Sequence, residues 1–145
     1  MGSLLGYRVL FRNQPLCRVA MSIESSTSQL PACQELVYDV HVFCCTNRRP
    51  ETHRRGCCGS KGSESLANYM CRRGMATARG KSIRINLSGC LNMCEYGPAM
   101  VIYPEGIWYR YENEFDIKEI FDKHVVRGEH VTRLLIKPDL SKLHR

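Results

Sequence analysis

The stretch SIRINLSGCLNMCEYGPAMVIYPEGIWYRY, from Ser82 to Tyr111, decides the architecture. Ser82 to Leu87 alternates Ile83, Ile85 and Leu87 with polar neighbours, the period of a half-buried strand. A tight loop bounded by Cys90 and Cys94 follows. Ala99 to Tyr103 and Ile107 to Tyr111 read as two more strands, and Pro104-Glu105-Gly106 is short enough to join them as an antiparallel hairpin. Upstream, Leu36 to Cys45 is an apolar run with Val37, Tyr38, Val40, Val42 and Phe43, which reads as a buried strand. A helix is predicted from Ser63 to Arg73, with Leu66, Tyr69 and Met70 on one face. Ser60 or Ser63 is its cap and Gly74 its stop, while Arg72 and Arg73 suit the helix dipole in the last turn. A strand–helix–strand unit has parallel strands joined by a right-handed crossover. Downstream, Asn113 caps a second helix carrying Ile117, Ile120, Phe121, His124 and Val125 at helical spacing, closed by Gly128. Val131 to Ile136 predicts an edge strand or a dimer contact. The expected fold class is α/β of the α+β kind, in the order β-α-β-β-β-α: a four-stranded mixed sheet flanked by two main helices.

Two cysteine pairs stand out. Cys45 and Cys58 enclose twelve residues, and Cys90 and Cys94 enclose three. Each pair closes a loop that follows a strand, so both can sit at one end of one sheet. Four converging thiolates suit a tetrahedral soft-metal site, either zinc or iron–sulfur. Nine cysteines cannot all pair within one chain, and the doublets Cys44-Cys45 and Cys57-Cys58 are poor staples. Metal binding in a reducing compartment explains them better, which makes the cytoplasm the default. A thiol-redox role is weakened because C-x-x-C is missing. Cys44, beside a ligand on a pleated strand, should face the core. Cys57 competes with Cys58 as ligand, Cys71 belongs to the first helix, and Cys17 and Cys33 lie outside the motif region. His53 has the chemistry of a ligand, but four cysteines make it unnecessary; His41 and His124 read as structural. Trp108, Tyr103 and Tyr109 read as packing aromatics.

The chain has 145 residues and a net charge of +7. No apolar run approaches the ~18 residues of a membrane span. Arg8, Arg12 and Arg18 break any signal-peptide core, although the Arg-rich, acid-poor start keeps some transit-peptide character and Met21 offers an alternative start. The expected organisation is an irregular extension over 1–36, a domain over 37–136 and a flexible tail over 137–145. Residues 1–40 balance their charges, so the surplus lies beyond them. Arg48, Arg49, His53, Arg54 and Arg55 cluster between Cys45 and Cys58, either as a solvated surface or as a docking face. That loop has no aromatics for base stacking, so nucleic acid ranks last. Nothing reads as a catalytic acid, base or nucleophile in a pocket, and no enzymatic activity is expected.

The run His41 to Pro50, the run Gly56 to Ser63, the stretch Ser88 to Cys94 with Gly97-Pro98, the hairpin Val101 to Tyr109 and the closing helix with His124 together resemble the thioredoxin-like [2Fe-2S] ferredoxins. The resemblance covers about residues 40–136. It implies a thioredoxin-like fold and one [2Fe-2S] cluster on Cys45, Cys58, Cys90 and Cys94, cycling by one electron in a homodimer that serves redox partner proteins. Such a cluster carries a formal charge of −2 when oxidised and about −3 when reduced, so the basic loop would favour the reduced form. The N–H groups near Gly56, Gly59 and Gly89 are expected to bond to its sulfurs. A basic carrier implies a partner with an acidic docking surface. Gly97-Pro98 matches the cis-proline position of that fold. The alternative is a structural zinc module with a basic docking loop.

Overall fold

The computed structural model describes residues 35–77 and 80–137. Met21, Cys17, Cys33, and nearly all of the expected extension and tail lie outside the described residues. Asp39 Oδ2 accepts the Ser82 N–H at 2.7 Å, and the Ser82 carbonyl accepts the Val40 N–H at 3.2 Å. These contacts start β1 (Val40–Cys45) beside β2 (Ile83–Ser88), in parallel, with Cys45 opposite Ser88. The first strand therefore begins at Val40 rather than Leu36, because among the described residues no strand pairs with the residues just upstream. Leu36 and Val37 are left 68% and 73% exposed. β3 (Ala99–Tyr103) pairs antiparallel with β1, and β4 (Ile107–Arg110) antiparallel with β3. The order is β2-β1-β3-β4, the mixed four-stranded sheet expected. The Gly97-Pro98 peptide is cis, and so is Tyr103-Pro104, which carried no signal in the sequence.

Helix α1 (Ser63–Thr77) runs past the stop expected at Gly74. A Cβ at Gly74 would lie 2.6 Å from Ile85 Cδ1, so this glycine makes room for β2 instead of ending the helix. Neither Ser60 nor Ser63 caps α1 through its side chain. Ser60 Oγ donates to the Cys57 carbonyl, and Ser63 Oγ has no hydrogen-bond partner among the described residues. A 3-10 turn, Gly59–Lys61, leads into α1 through Gly62 at φ 77°.

The second helix behaves as its sequence predicts. Asn113 Oδ1 accepts the Asp116 N–H at 3.0 Å, and Asp116 Oδ2 accepts the Glu112 N–H at 2.9 Å, so side chains satisfy two N–H groups at the helix start. Helix α2 (Glu114–Ile120) passes into a π-helical stretch, Phe121–Val126, and Gly128 at φ 74° turns the chain away.

Both helices pack on one face of the sheet. Val42, Cys44, Met100, Ile102 and Tyr109 meet Ala67, Met70, Ile117, Ile120, Phe121 and Val125 in one core. Arg73 joins the helices by an ion pair to Asp122 and by lying 5.2 Å from the Phe121 ring centroid. The expected strand at Val131 to Ile136 shrinks to a single bridge, Leu135 to Tyr109, beside a 3-10 turn at Thr132–Leu134. Val131 and Leu134 are buried in the main core. Ile136 covers the other side of β3 with Met93 and Trp108 around Ala99.

Candidate metal centre

Because β1 and β2 are parallel and end together, the loops after Cys45 and Ser88 leave the same end of the sheet. Both Thr46 donors, N–H and Oγ1, bond to the Ser88 carbonyl at 3.0 and 3.2 Å and clamp the two exits. Lys61 Nζ donates to the carbonyls of Cys94 and Gly97, at 3.2 and 3.0 Å, and straps one loop to the other. Arg55 adds a second strap, donating to Asn92 Oδ1 at 2.8 Å and to the Asn92 carbonyl at 3.1 Å. It also pairs with Glu95 at 3.0 Å. Asn92 holds the left-handed conformation, φ 62°, that this turn requires.

The thiols come together as two pairs. Cys58 is the neighbour that acts most strongly on Cys45, and Cys90 Sγ lies 3.7 Å from Cys94 Sγ. Cys58 and Cys94 are near enough to act on each other electrostatically, which links the pairs. Among the described residues, no three Cys, His, Asp or Glu side chains converge on a point that would hold a single ion. The donors are arranged two and two. Cys45, Cys58 and Cys94 are 1% exposed, whereas Cys90 reaches the surface.

The electrostatics follow from this pairing. The Cys58 thiol donates to Cys45, and against the cost of burial it holds Cys45 down at about 6 with help from the N–H groups of Leu91 and Asn47 and the Arg49 charge. The same pairing, and then burial, push Cys58 up. Cys94 is raised by burial first and by Cys90 second. Ala99 supplies a backbone hydrogen bond to Cys58, and the Asn92 N–H donates to Cys90 Sγ at 3.3 Å.

Several expectations change here. The N–H groups of Gly56 and Gly59 go to the carbonyls of His53 and Asn47, not to sulfur. Donors to the thiols come instead from Asn47, Leu91, Asn92 and Ala99. Arg49 belongs to the site rather than to an outer face: Nη2 donates to Cys90 Sγ at 2.9 Å and Nη1 to Cys94 Sγ at 3.2 Å. Arg48 bonds to the Gly59 carbonyl, and Arg55 is tied down as described. Arg54 and His53 remain exposed. Cys44 packs in the core, where burial raises its pKa. Cys57 Sγ takes the Ser60 N–H at 3.4 Å and lies 4.0 Å from the Arg49 carbonyl. Its thiol sits at about 7, lowered chiefly by a Ser60 hydrogen bond.

Gly97 was legible only as part of a motif. A Cβ there would lie 2.5 Å from Cys58 Sγ, so the missing side chain makes room for that sulfur. The roles of Arg49, Lys61 and Gly97 depend on two loops meeting across long sequence separations. Their nearness to cysteines in the sequence was the only signal.

A parallel β-α-β unit extended by a hairpin and a helix, with two thiol pairs at one sheet end, is the architecture of the thioredoxin-like iron–sulfur class. No protein-family profile matches the chain. The 2Fe-2S ferredoxin of Aquifex aeolicus (strain VF5) is 38% identical over 97 residues, covering 66% of this chain and 87% of that protein. The 2Fe-2S ferredoxin of Clostridium pasteurianum is 34% identical over 96 residues, covering 66% and 94%. The structure of the thioredoxin-like [2Fe-2S] ferredoxin from Aquifex aeolicus superposes with a TM-score of 0.64 at 35% identity, covering 68% of this chain and 90% of that one. A cysteine-to-serine variant of the same ferredoxin gives 0.63 at 35% identity, covering 68% and 99%. The chain belongs to the thioredoxin-like [2Fe-2S] ferredoxin family.

Proposed function

We propose that this protein is a one-electron carrier with a single [2Fe-2S] cluster held by Cys45, Cys58, Cys90 and Cys94. The observation that carries this reading is the two-and-two arrangement of thiols. Each iron of a dinuclear cluster takes two cysteine sulfurs, whereas a structural zinc gathers four around one ion. The missing side chain of Gly97 leaves Cys58 Sγ the room to sit in this pair. When bound, the cluster accepts and returns one electron.

The chain's own groups do the rest. Arg49 sets positive charge against Cys90 and Cys94, which lessens the cost of added negative charge. The backbone donors on Cys45, Cys58 and Cys90 act in the same direction. Burial of Cys45, Cys58 and Cys94 keeps water from most of the site, while exposed Cys90 marks the edge nearest a partner.

The carrier occupies residues 37–136, has no catalytic step of its own, works in a reducing compartment such as the cytoplasm, and docks redox partners that present acidic patches to its basic surface. It forms a homodimer through the helix-free face of the sheet. There His41, Phe43 and Tyr103 line a groove of about 560 Å³ with Leu36, Val37, Tyr38 and Pro104. Val37 and Tyr103 stand well exposed there, as a partner surface requires.

The deciding experiment is iron and acid-labile sulfide analysis of anaerobically purified protein. Two of each per chain, with a red-brown colour bleached by dithionite, is the expected result. Colourless protein with one zinc per chain overturns the reading. For the ligand set, Cys58→Ser should strip or alter the cluster while Cys57→Ser leaves its spectrum unchanged.

A further inference from the structure

Lys61 is bonded to the backbone of both thiol pairs. Its N–H donates to the Cys58 carbonyl at 3.0 Å, within the 3-10 turn that leads into α1. Its Nζ donates to the Cys94 carbonyl at 3.2 Å and to the Gly97 carbonyl at 3.0 Å. The two ends of one residue are thus fixed to one cysteine of each pair. The Cys94 carbonyl also accepts the Gly97 N–H at 3.3 Å, so the ammonium closes over the turn from Cys94 to Gly97. That turn carries the glycine whose missing side chain gives Cys58 Sγ its room.

A lysine is an unusual clamp. Its ammonium is strongly hydrated, and its stem carries about 2 kcal/mol of rotamer entropy that a fixed geometry gives up. What a lysine adds over a neutral donor is charge, and here the charge is not cancelled. Its side-chain partners are carbonyl oxygens, and among the described residues no carboxylate pairs with it. Arg55 ties the same two loops together, but its guanidinium is met by Glu95 at 3.0 Å. Of these two straps, Lys61 is the one that brings unopposed positive charge to the backbone of the thiol pairs.

We propose that Lys61 is a positioning residue for electron transfer: it holds Cys58 and Cys94 in register across the two pairs and sets a fixed cation against their backbone. This rests on the ferredoxin reading above and extends it. Reduction adds one negative charge to a centre of four thiolates, so a cation held beside it favours the reduced form. Lys61 is exposed, and water and salt screen its charge, so the effect is modest.

The test compares Lys61→Met, which keeps a stem of similar length without charge or donors, with Lys61→Arg, which restores both. Lys81→Met is the control, removing the same charge just before β2 begins, at the other end of that strand from Ser88. Iron and sulfide content comes first. Wild-type protein without iron sinks the ferredoxin reading itself, whereas two irons and two sulfides per chain turn the comparison onto Lys61 alone. In Lys61→Met the reduced form should be about threefold less favoured, a potential ~28 mV lower for one electron. The difference from wild type should shrink as salt is raised, and iron should pass to a chelator severalfold faster. Lys61→Arg and Lys81→Met should stay near the wild-type potential. An unchanged potential in Lys61→Met overturns the proposal, and so does a drop that salt leaves untouched. An equal drop in Lys61→Arg, or in Lys81→Met, overturns it as well. If Lys61→Met does not assemble the centre, Lys61→Arg decides: assembly at the wild-type potential supports the clamp, and failure of both makes residue 61 a packing position and overturns it.

Discussion

Arg49 offers two parallel N–H donors at 2.9 and 3.2 Å to two sulfurs four residues apart in sequence, a geometry that a lysine cannot copy. Hydrogen bonds to charged acceptors are worth about 1.5–3 kcal/mol, and the contact to Cys90 is discounted because it lies at the surface. Arg49→Gln should therefore lower the reduction potential by roughly one decade of the one-electron equilibrium, ~59 mV, with Arg49→Lys in between. A spectroelectrochemical titration that found all three alike would remove Arg49 from the redox argument. Gly97 supports a complementary prediction about room rather than charge. Gly97→Ala puts a methyl group 2.5 Å from Cys58 Sγ, whereas Gly89→Ala meets nothing within 4 Å. The first should lose most of its iron per chain and the second should keep the wild-type content. Equal iron in both would mean that Cys58 has slack that its packing does not suggest.

At the level of elements, α1 and β2 are fitted to each other through a missing side chain. Gly74→Ala gains about 1 kcal/mol of helix propensity but drives its Cβ against Ile85 Cδ1, and overpacking of this kind costs about 1–3 kcal/mol. The single variant should be neutral or less stable. In an Ile85→Val background, which removes Cδ1, the same alanine should stabilise by up to ~1 kcal/mol. Denaturant midpoints of the four proteins measure this coupling, and additive changes would refute the steric reading. The same glycine shows why some boundaries were legible and others were not. Alternation placed β2, and an unbroken apolar run placed β3, to within a residue, because both are local signals. Asn113 was readable as a cap for the same reason, since its hydrogen bond stays within one turn. Gly74 was read as a stop because its real constraint, Ile85, lies across the molecule. The apolar content of Val131 to Ile136 suggests an edge strand or a dimer contact, but Val131 and Leu134 serve one cluster and Ile136 another, so the segment makes a single bridge instead. At the site, the cysteine spacings point to four residues that the structure sets in two pairs, but which donors face sulfur depends on how two loops interlock.

Across the whole molecule, one buried chain of polar groups joins the hairpin, the last helix and the tail. The Val131 N–H donates to Tyr109 Oη at 3.2 Å, and that hydroxyl lies 2.9 Å from His124 Nδ1. With the His124 ring proton on Nε2, 3.8 Å from Glu105, Nδ1 is free to accept the Tyr109 proton. This arrangement needs neutral imidazole. Burial accordingly lowers the His124 pKa, with Glu105 opposing and His130 and Lys81 assisting. A histidine lowered on folding contributes its full stability above its unfolded pKa, about 6.5, and loses it as pH falls below that value. Glu119 is held low by Lys123 and Arg133. Asp122 is also held low, despite burial, by Lys118 and Arg73. Those carboxylates contribute fully above their unfolded pKa near 4 and weaken only below it, so they stay constant from pH 7 to 5, and the Cys57 thiol, lowered to about 7, is common to wild type and variant. Cluster-loaded wild-type protein should lose unfolding temperature steadily across that interval. His124→Asn keeps an acceptor for Tyr109 without a titrating group, so it should start less stable at pH 8 and lose less between pH 7 and 5. Parallel curves for the two proteins would show that protonation elsewhere in the fold governs its acid sensitivity.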